Sequence, residues 1–572
     1  MQTSSDTPSE DGGGGALRRY GPVVAIVVVV ALIAGVVIAN AGSEDKKDAV
    51  GDAKDVKRPD GAISWSQAEE DGTTDDFEWP ATCDKETGRV AMPFYFTPEC
   101  YANVDENGGA TSRGVTEDEI KVVFYSAPEN DAVLDYVTGP IANDDKPPEI
   151  EQTTQNYSEM FGALYQTYGR KVVVEVLEAS GESQDEVAAR ADAKRAVEEM
   201  GAFAVWGGPA LTTAWADEIS ALGAICIGCL TGTSEWVEER APYLYSVVMS
   251  GKQTNIHAAE YVGKKLAGKP AEFAGDEALQ DKERVFGHLY IQSSEESDIT
   301  AAQFKDVLAD QDVELAEVLP YELDPARLAE QSTSIISKLK SAGVTTVLLQ
   351  GDPIAPSNFT QEATAQQYFP EWVIAGGTLV NTTVFGRVYD QEQWAHAFGV
   401  STGAVPTKPE EGAAYRLHNW YFGEEPPAAK TSPVLYPNPS LFYAGLQNAG
   451  PNLTPETFRD GLFSADPIDE LALTAPSLTW GDHGRWNDYD LGSTADWAGI
   501  DDMTEIWYDP DATGADETRT EGSGMLRFVD GGKRYLPGEW TDEVKVFEEE
   551  GSVMMYEEAP ESEQVEDYDP PK

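Results

Sequence analysis

The chain is 572 residues long and sets 40 basic against 101 acidic residues, a formal net charge of −61. A surface of that sign lacks the basic footprint that nucleic-acid binding requires, so no nucleic-acid partner is expected. The acidic excess favours solubility and resists self-association. It reads as a generally acidic extracytoplasmic surface, with electrostatic attraction of a cationic ligand as the alternative.

Residues 1–19 read as a short polar cytoplasmic tail ending in Arg18 and Arg19. Residues 20–41 carry no charge, and at ~1.5 Å per residue the apolar stretch inside them is near the lower limit for spanning a bilayer. The two arginines ahead of it would keep the amino end in the cytoplasm. Ala39-Asn40-Ala41 also has the form of a signal-peptidase site. The segment therefore reads as a transmembrane anchor or as a signal peptide cleaved after Ala41. No cysteine lies near it, which excludes a lipid anchor. Both readings put the remainder outside the cytoplasmic membrane, either as a single-pass cell-membrane protein or secreted. Residues 42–78 are rich in Asp, Glu, Lys, Gly and Ser and read as a disordered stalk.

Residues 79–112 form a segment bracketed by Cys83 and Cys100, which in an oxidising compartment are expected to close a disulfide. Cys226 and Cys229 form a C-I-G-C after a strand, read as a structural disulfide or a pair of buried thiols. A redox centre would need a helix start and a lowered thiol pKa, and a single CxxC gives zinc only two ligands.

From residue 113 the pattern becomes an alternation of strands and helices. The first strand is 120–125, followed by a helix over 150–168 with Tyr157, Met160, Phe161, Leu164 and Tyr168 on one face. A strand over 172–177 comes next. Ser183-Gln184-Asp185-Glu186 then reads as a capping box, with Val187, Ala191, Val197 and Met200 on the buried side of its helix. The stretch 203–236 follows: F-A-V-W-G-G-P-A-L-T-T and A-I-C-I-G-C-L-T-G-T-S. Each is a short apolar run ending in Gly, Thr or Ser ahead of a helical segment. Parallel strands covered on both faces read this way, and ligands sit at their carboxyl ends. Strands over 243–249, 285–291, 313–319, 344–349 and 372–375 alternate with helices over 254–266, 300–308 and 328–339. A polar insertion at 271–284 separates two blocks. The expected fold class is α/β, with two doubly wound lobes on parallel sheets. Helices follow over 410–420 and 440–449, with an N-cap at Thr454 and proline at the first helical position. Beyond Gly481 the chain reads as loop-rich, and residues 548–572 as an acidic disordered tail.

The order of these elements and several motifs resemble the type I periplasmic-binding-protein family, and within it the branched-chain amino-acid solute-binding proteins of ABC transporters. Gly114-Val115-Thr116 with Ile120-Lys121-Val122 looks like the start of such domains. Cys229-Leu230-Thr231-Gly232-Thr233, leading to Pro242-Tyr243-Leu244-Tyr245-Ser246-Val247, looks like their ligand loop and the run after it. Gly268-Lys269-Pro270-Ala271 and Arg284-Val285-Phe286-Gly287 resemble the inter-lobe insertion of larger members. The resemblance covers roughly residues 114–470. It implies a three-strand hinge, with crossovers near Met249-Ser250, near Gly376-Gly377 and after Trp480. The two-lobed domain would then occupy 113–547, with an N-lobe of about 113–249 and 378–480 and a C-lobe of about 250–377 and 481–547.

Carried over residue by residue, the N-lobe ligand positions are Ser126, Gly208, Pro209, Ala210, Leu211, Thr212, Cys229, Leu230 and Thr231. The C-lobe positions are Ser293, Glu295, Glu296, Gln350 and Asp352. Glu295-Glu296-Ser297-Asp298 stand where the family usually has a Tyr-Gly pair, a departure that suits an ammonium or other cationic group. Glu295 and Glu296 also fit a solvated helix start favoured by the helix dipole.

No catalytic constellation accompanies this pattern. The five histidines have no metal-ligand spacing, and no nucleophile elbow, phosphate loop or dinucleotide fingerprint occurs in its proper context. Residues 509–517 loosely mimic a calcium loop but lack the glutamate at its twelfth position, and read as an acidic surface loop. The expectation is a non-enzymatic solute-binding protein without cofactor or metal. Its partners would be a small polar ligand, an ABC transporter permease and, through the amino-terminal segment, the membrane. A surface receptor or interaction protein that keeps the fold without transport is the alternative.

Overall fold

A computed structural model of the chain describes residues 57–95, 97–128, 131, 136, 139–141, 143–293, 295–467 and 471–571. The apolar segment 20–41 and the tail ahead of it lie outside the described residues. Among the described residues no helix is long and apolar enough to cross a membrane.

A small two-stranded ladder comes first, β1 (Cys83–Asp84) and β2 (Arg89–Val90). The N-lobe sheet follows: β3 (Glu119–Ser126), β4 (Lys171–Glu178), β5 (Ala204–Trp206), β6 (Ile225–Ile227) and β7 (Leu244–Tyr245). These run parallel in the order β4-β3-β5-β6-β7. The C-lobe holds β8 (Phe286–Ile291), β9 (Leu315–Tyr321), β10 (Thr346–Gly351), β11 (Glu371–Gly377) and β12 (Ala397–Ser401). It is completed by β13 (Met503–Ala515), β14 (Glu521–Phe528) and β15 (Arg534–Tyr535). Its order is β14-β13-β12-β11-β10-β8-β9, with β15 on the edge of β13. β8 to β12 are parallel, and β13 to β15 pair antiparallel. Ala204, Val205, Trp206, Ile225 and Ile227 are all fully buried, as the unbroken apolar runs require.

Helices cover both lobes. Tyr157, Met160, Phe161 and Leu164 of the helix Pro147–Leu164 are buried, as their spacing predicts. Phe161 meets Tyr443 of the helix Pro437–Ala449, whose Phe442 in turn packs edge-on against Trp206 of β5. The helix Glu186–Lys194 departs from expectation. Its N-cap is Asp185, whose side chain accepts the N–H groups of Val187 and Ala188. That start turns Ala189 and Ala193 inward and leaves Val187 80% exposed.

Three boundaries differ from the sequence reading. The second crossover comes after Ser401, not near Gly376-Gly377, because β12 adds parallel to β11 and keeps residues 378–401 in the C-lobe. β13 and β14 form a long hairpin where loop was expected. Asp509 there ties Arg527 across the strands at 2.6 Å, and Asp516 binds Arg387 at 3.1 Å, so carboxylates that read as an acidic loop are strand and turn anchors. Residues 57–78 and 548–571 are packed rather than disordered. Trp65 and Trp79 meet at 4.8 Å over the Cys83–Cys100 disulfide region. At the other end, buried Glu563 accepts the N–H of Leu473 at 2.6 Å, and Tyr568 donates to Asp84 at 3.0 Å. A few aromatic and capping residues hold these segments, and a compositional average hides them.

Candidate functional site

The carboxyl ends of the parallel strands of both sheets point at one cleft of about 920 Å³ between the lobes. Its N-lobe wall is built from the turn after β5, Gly207 to Thr213, the turn after β6, Gly228 to Gly232, and Asn438 from the helix Pro437–Ala449. Gly228 has φ +70°, and a Cβ there would stand 2.3 Å from Asn438 Oδ1, so glycine lets the two elements meet. The C-lobe wall comes from Ser293, Glu296 and Ser297 after β8, Gln350 near the end of β10, Gly376 and Gly377 at the end of β11 with Thr378 just beyond, and Ser401 at the end of β12. Gly377, at φ +119°, lies so close to Gly351 that a Cβ would meet its carbonyl oxygen at 2.4 Å.

Most of the predicted positions converge on this cleft. Gly208, Pro209, Ala210, Leu211, Thr212, Cys229, Leu230, Thr231, Ser293, Glu296 and Gln350 all line it. Ser126 does not; the lining residue beyond β3 is its neighbour Ala127. Asp352 does not either. It is buried, accepts Tyr321 Oη at 2.7 Å and caps the next helix through the N–H groups of Ile354 and Ala355 at 2.7 and 2.9 Å. Burial pushes its pKa upward against those hydrogen bonds. Glu295 opens the helix Glu295–Ala309, and its side chain lies outside the described residues. Cys226 and Cys229 are joined, which places the second disulfide at the N-lobe wall.

The polar groups of the cleft are held from behind. Thr212 Oγ1 accepts the Ala214 N–H at 3.1 Å, leaving its hydroxyl proton to point elsewhere. Gln350 donates to Asn255 Oδ1 at 2.9 Å and to the Ala375 carbonyl at 3.1 Å, and its Oε1 accepts Nε2–H of buried His288 at 3.1 Å. Burial pushes the His288 pKa down to about 4, so the ring is neutral at physiological pH. His257, also buried and lowered to about 4, accepts Trp540 Nε1–H on Nδ1 at 3.1 Å and donates from Nε2 to the Asp501 carbonyl at 2.9 Å. Among the described residues no group of His, Cys, Asp or Glu could hold a metal ion.

Sequence reasoning missed Asn438, Thr254, Asn255, Asn381, Ser401 and Asp496, which also line the cleft. They come from helix starts and crossovers that only the assembled lobes bring together.

The lobes are hinged by three crossovers that bond to one another. Ser246 N–H donates to the Trp497 carbonyl at 3.1 Å, and Gly499 N–H and Trp480 Nε1–H donate to the Ser246 carbonyl at 2.9 and 3.1 Å. Val405 N–H donates to the Leu473 carbonyl at 3.1 Å, tying the second crossover to the third.

The family model described as periplasmic binding protein matches residues 132–495. No curated protein matches the chain. Among solved structures, a solute-binding protein of an ABC transporter from Rhodopseudomonas palustris BisB5, in complex with 3,4-dihydroxybenzoic acid, is 12% identical. The match covers 71% of this chain and 96% of that one, with a TM-score of 0.46. The branched-chain amino acid transporter substrate-binding protein LivJ from Streptococcus pneumoniae, in complex with isoleucine, is 13% identical, with 72% and 99% covered and a TM-score of 0.45. A fatty acid ABC transporter substrate-binding protein from Thermomonospora curvata is 16% identical, with 73% and 94% covered and a TM-score of 0.45. The family match spans most of both lobes, and the chain belongs to the periplasmic binding protein family, type I.

Proposed function

We propose that this protein is the extracytoplasmic solute-binding component of an ABC importer and captures an amino acid or similar small polar molecule between its lobes. The observation that carries the reading is the cleft itself. Neutral polar side chains from both lobes face one space across a three-strand hinge. Closure has a cost in hinge motion, and a ligand touching both walls offsets it, so an empty cleft stays open. The residues assigned to the ligand are those of the two N-lobe turns together with Ser293, Glu296 and Gln350. The partner on the membrane side is a transporter permease, and the segment 20–41 directs the chain out of the cytoplasm.

A thermal-shift screen of the purified protein against amino acids, amides, polyamines and small organic acids tests this. A ligand at 100 times its dissociation constant adds about 2.7 kcal/mol, which moves the melting temperature visibly. If no solute in a broad screen moves it, and deletion leaves uptake of every candidate intact, the importer reading fails.

A further inference from the structure

The cleft carries charge of one sign. Among its described lining residues there is no lysine, arginine or histidine, and the charged side chains are Glu186, Glu296 and Asp496. Glu186 is exposed and Glu296 half-buried. Asp496 differs from both, being only 5% exposed. It belongs to the third crossover and lines both the cleft and an adjoining cavity of about 170 Å³.

Both carboxylate oxygens of Asp496 are held as acceptors by neutral donors. Gln253 Nε2–H donates to Oδ2 at 2.8 Å, and the Ala498 N–H donates to Oδ1 at 2.9 Å. Two donated hydrogen bonds favour the ionised form. Burial and the neighbouring Asp501 oppose ionisation and push the pKa well above the usual carboxylate range. What would settle this conflict is a counter-cation, and among the described residues no lysine, arginine or histidine is bonded to Asp496, although His483 and Arg485 line the adjoining cavity with it. In the same crossover Arg485 pairs with Asp501 at 3.3 Å, and Asp502 is taken by Arg534 at 2.8 Å. His257, on the helix that carries Gln253, is committed to Trp540 and the Asp501 carbonyl. The N-lobe helix Ser234–Glu238 brings Glu238, which accepts Thr494 Oγ1–H and Trp497 Nε1–H at 2.6 and 2.7 Å and adds more negative charge nearby.

Resting on the reading of the cleft as the ligand site, we propose that Asp496 seats a positively charged nitrogen of the solute, so that the ligand is an amine or guanidinium compound and not an anion. A buried carboxylate without a counter-charge is costly, and a cation delivered to it by the ligand recovers that cost on binding. An anion would meet Glu296 and Asp496 with no compensating side chain. The net charge of −61 acts in the same sense at longer range, drawing cations toward the protein. Because Asp496 sits in a hinge strand and is bonded to Gln253 at the start of the helix after the first crossover, the cation would engage two of the three crossovers at once.

The test is a charge series on one four-carbon skeleton: putrescine, 4-aminobutanoate, 1,4-butanediol and succinate, read by thermal shift and calorimetric titration. The amines are expected to bind at least about ten-fold more tightly than the diol, and succinate to give no shift. Asp496→Asn, nearly isosteric, is expected to weaken amine binding about 10- to 100-fold. The series is read on the wild-type chain, so it decides even if that variant fails to fold. The inference is overturned if succinate or the diol binds as tightly as the amines. It is also overturned if a folded Asp496→Asn holds the amine within two-fold, or if the tightest solute of the broad screen has no cationic nitrogen; solute binding itself then stands. If nothing binds in either experiment, both readings fall.

Discussion

The family resemblance assigns both Thr212 and Thr231 to the ligand, and the structure separates them. Thr212 is buried and its oxygen caps Ala214, while Thr231 is half-exposed in the cleft wall. Thr231→Val keeps the shape and removes the hydroxyl, and is expected to cost about 1–3 kcal/mol of ligand affinity with little change in the melting temperature of the empty protein. Calorimetric titration of the variant checks both. His288 is a residue of another kind, buried beneath Gln350 and held neutral. Its folded pKa of about 4 lies below the unfolded value, so the unfolded chain binds the extra proton between the two. Its contribution is therefore present above about pH 6.5 and is lost as pH falls toward 4, by about 3 kcal/mol at most. The stability gap between wild type and His288→Gln should shrink as pH is lowered from 7 to 5 in denaturant titrations. An unchanged gap would mean that His288 is not held neutral. The same residues show what a sequence hides. Thr231 was legible because it lies in the turn after a strand, whereas Asp352 also follows one and turns its carboxylate to the N–H groups of Ile354 and Ala355. Spacing places a residue in the right loop without giving the direction of its side chain.

At the level of elements, the parallel strands were legible because burial on both faces leaves unbroken apolar runs. β12, β13 and β14 were not. β12 is A-F-G-V-S, short and interrupted by glycine, and the far half of β13 is D-P-D-A-T-G-A, a composition that reads as turn. Their pairing is decided by neighbours distant in sequence, Phe398 to Trp507 and Ile506 to Phe528. The C-lobe is also held by a buried ion pair that no periodicity reveals. Arg284 reaches Glu371 of β11 with two hydrogen bonds of 2.8 Å, both side chains almost fully buried. Glu371→Ala would strand the guanidinium without a counter-charge and is expected to cost about 3–5 kcal/mol, measurable by denaturant unfolding. The Cys83–Cys100 bridge spans a separation of 17 residues and fastens a segment whose Met92 and Phe94 lie in the main core. Replacing both cysteines by serine should remove about 3 kcal/mol. A loss confined to the 57–112 segment by hydrogen exchange, with the rest of the N-lobe protected as before, would show that the segment folds as a separate unit.

The molecule as a whole is two lobes whose strand ends face each other across hinge strands that bond among themselves. The architecture was legible from the order of strands and helices. The cleft was legible only in part, because lining residues such as Asn438, Ser401 and Asp496 come from crossovers and helix starts brought together by the fold. Ser246 bonds to Trp480, Trp497 and Gly499, and Asp496 bonds to Gln253, so the crossovers are tied to one another where they border the cleft. On the proposed function, one solute binds per chain in this cleft. Calorimetric titration of the wild-type protein and of Ala210→Trp, with the solute that most raises the melting temperature, checks this. Ala210 is half-exposed on the N-lobe turn, so an indole there fills the cleft without disturbing the core. The expected result is one site per chain in the wild type and loss of binding in a variant that melts normally. Binding that persists unchanged in Ala210→Trp, or more than one site per chain, would contradict it.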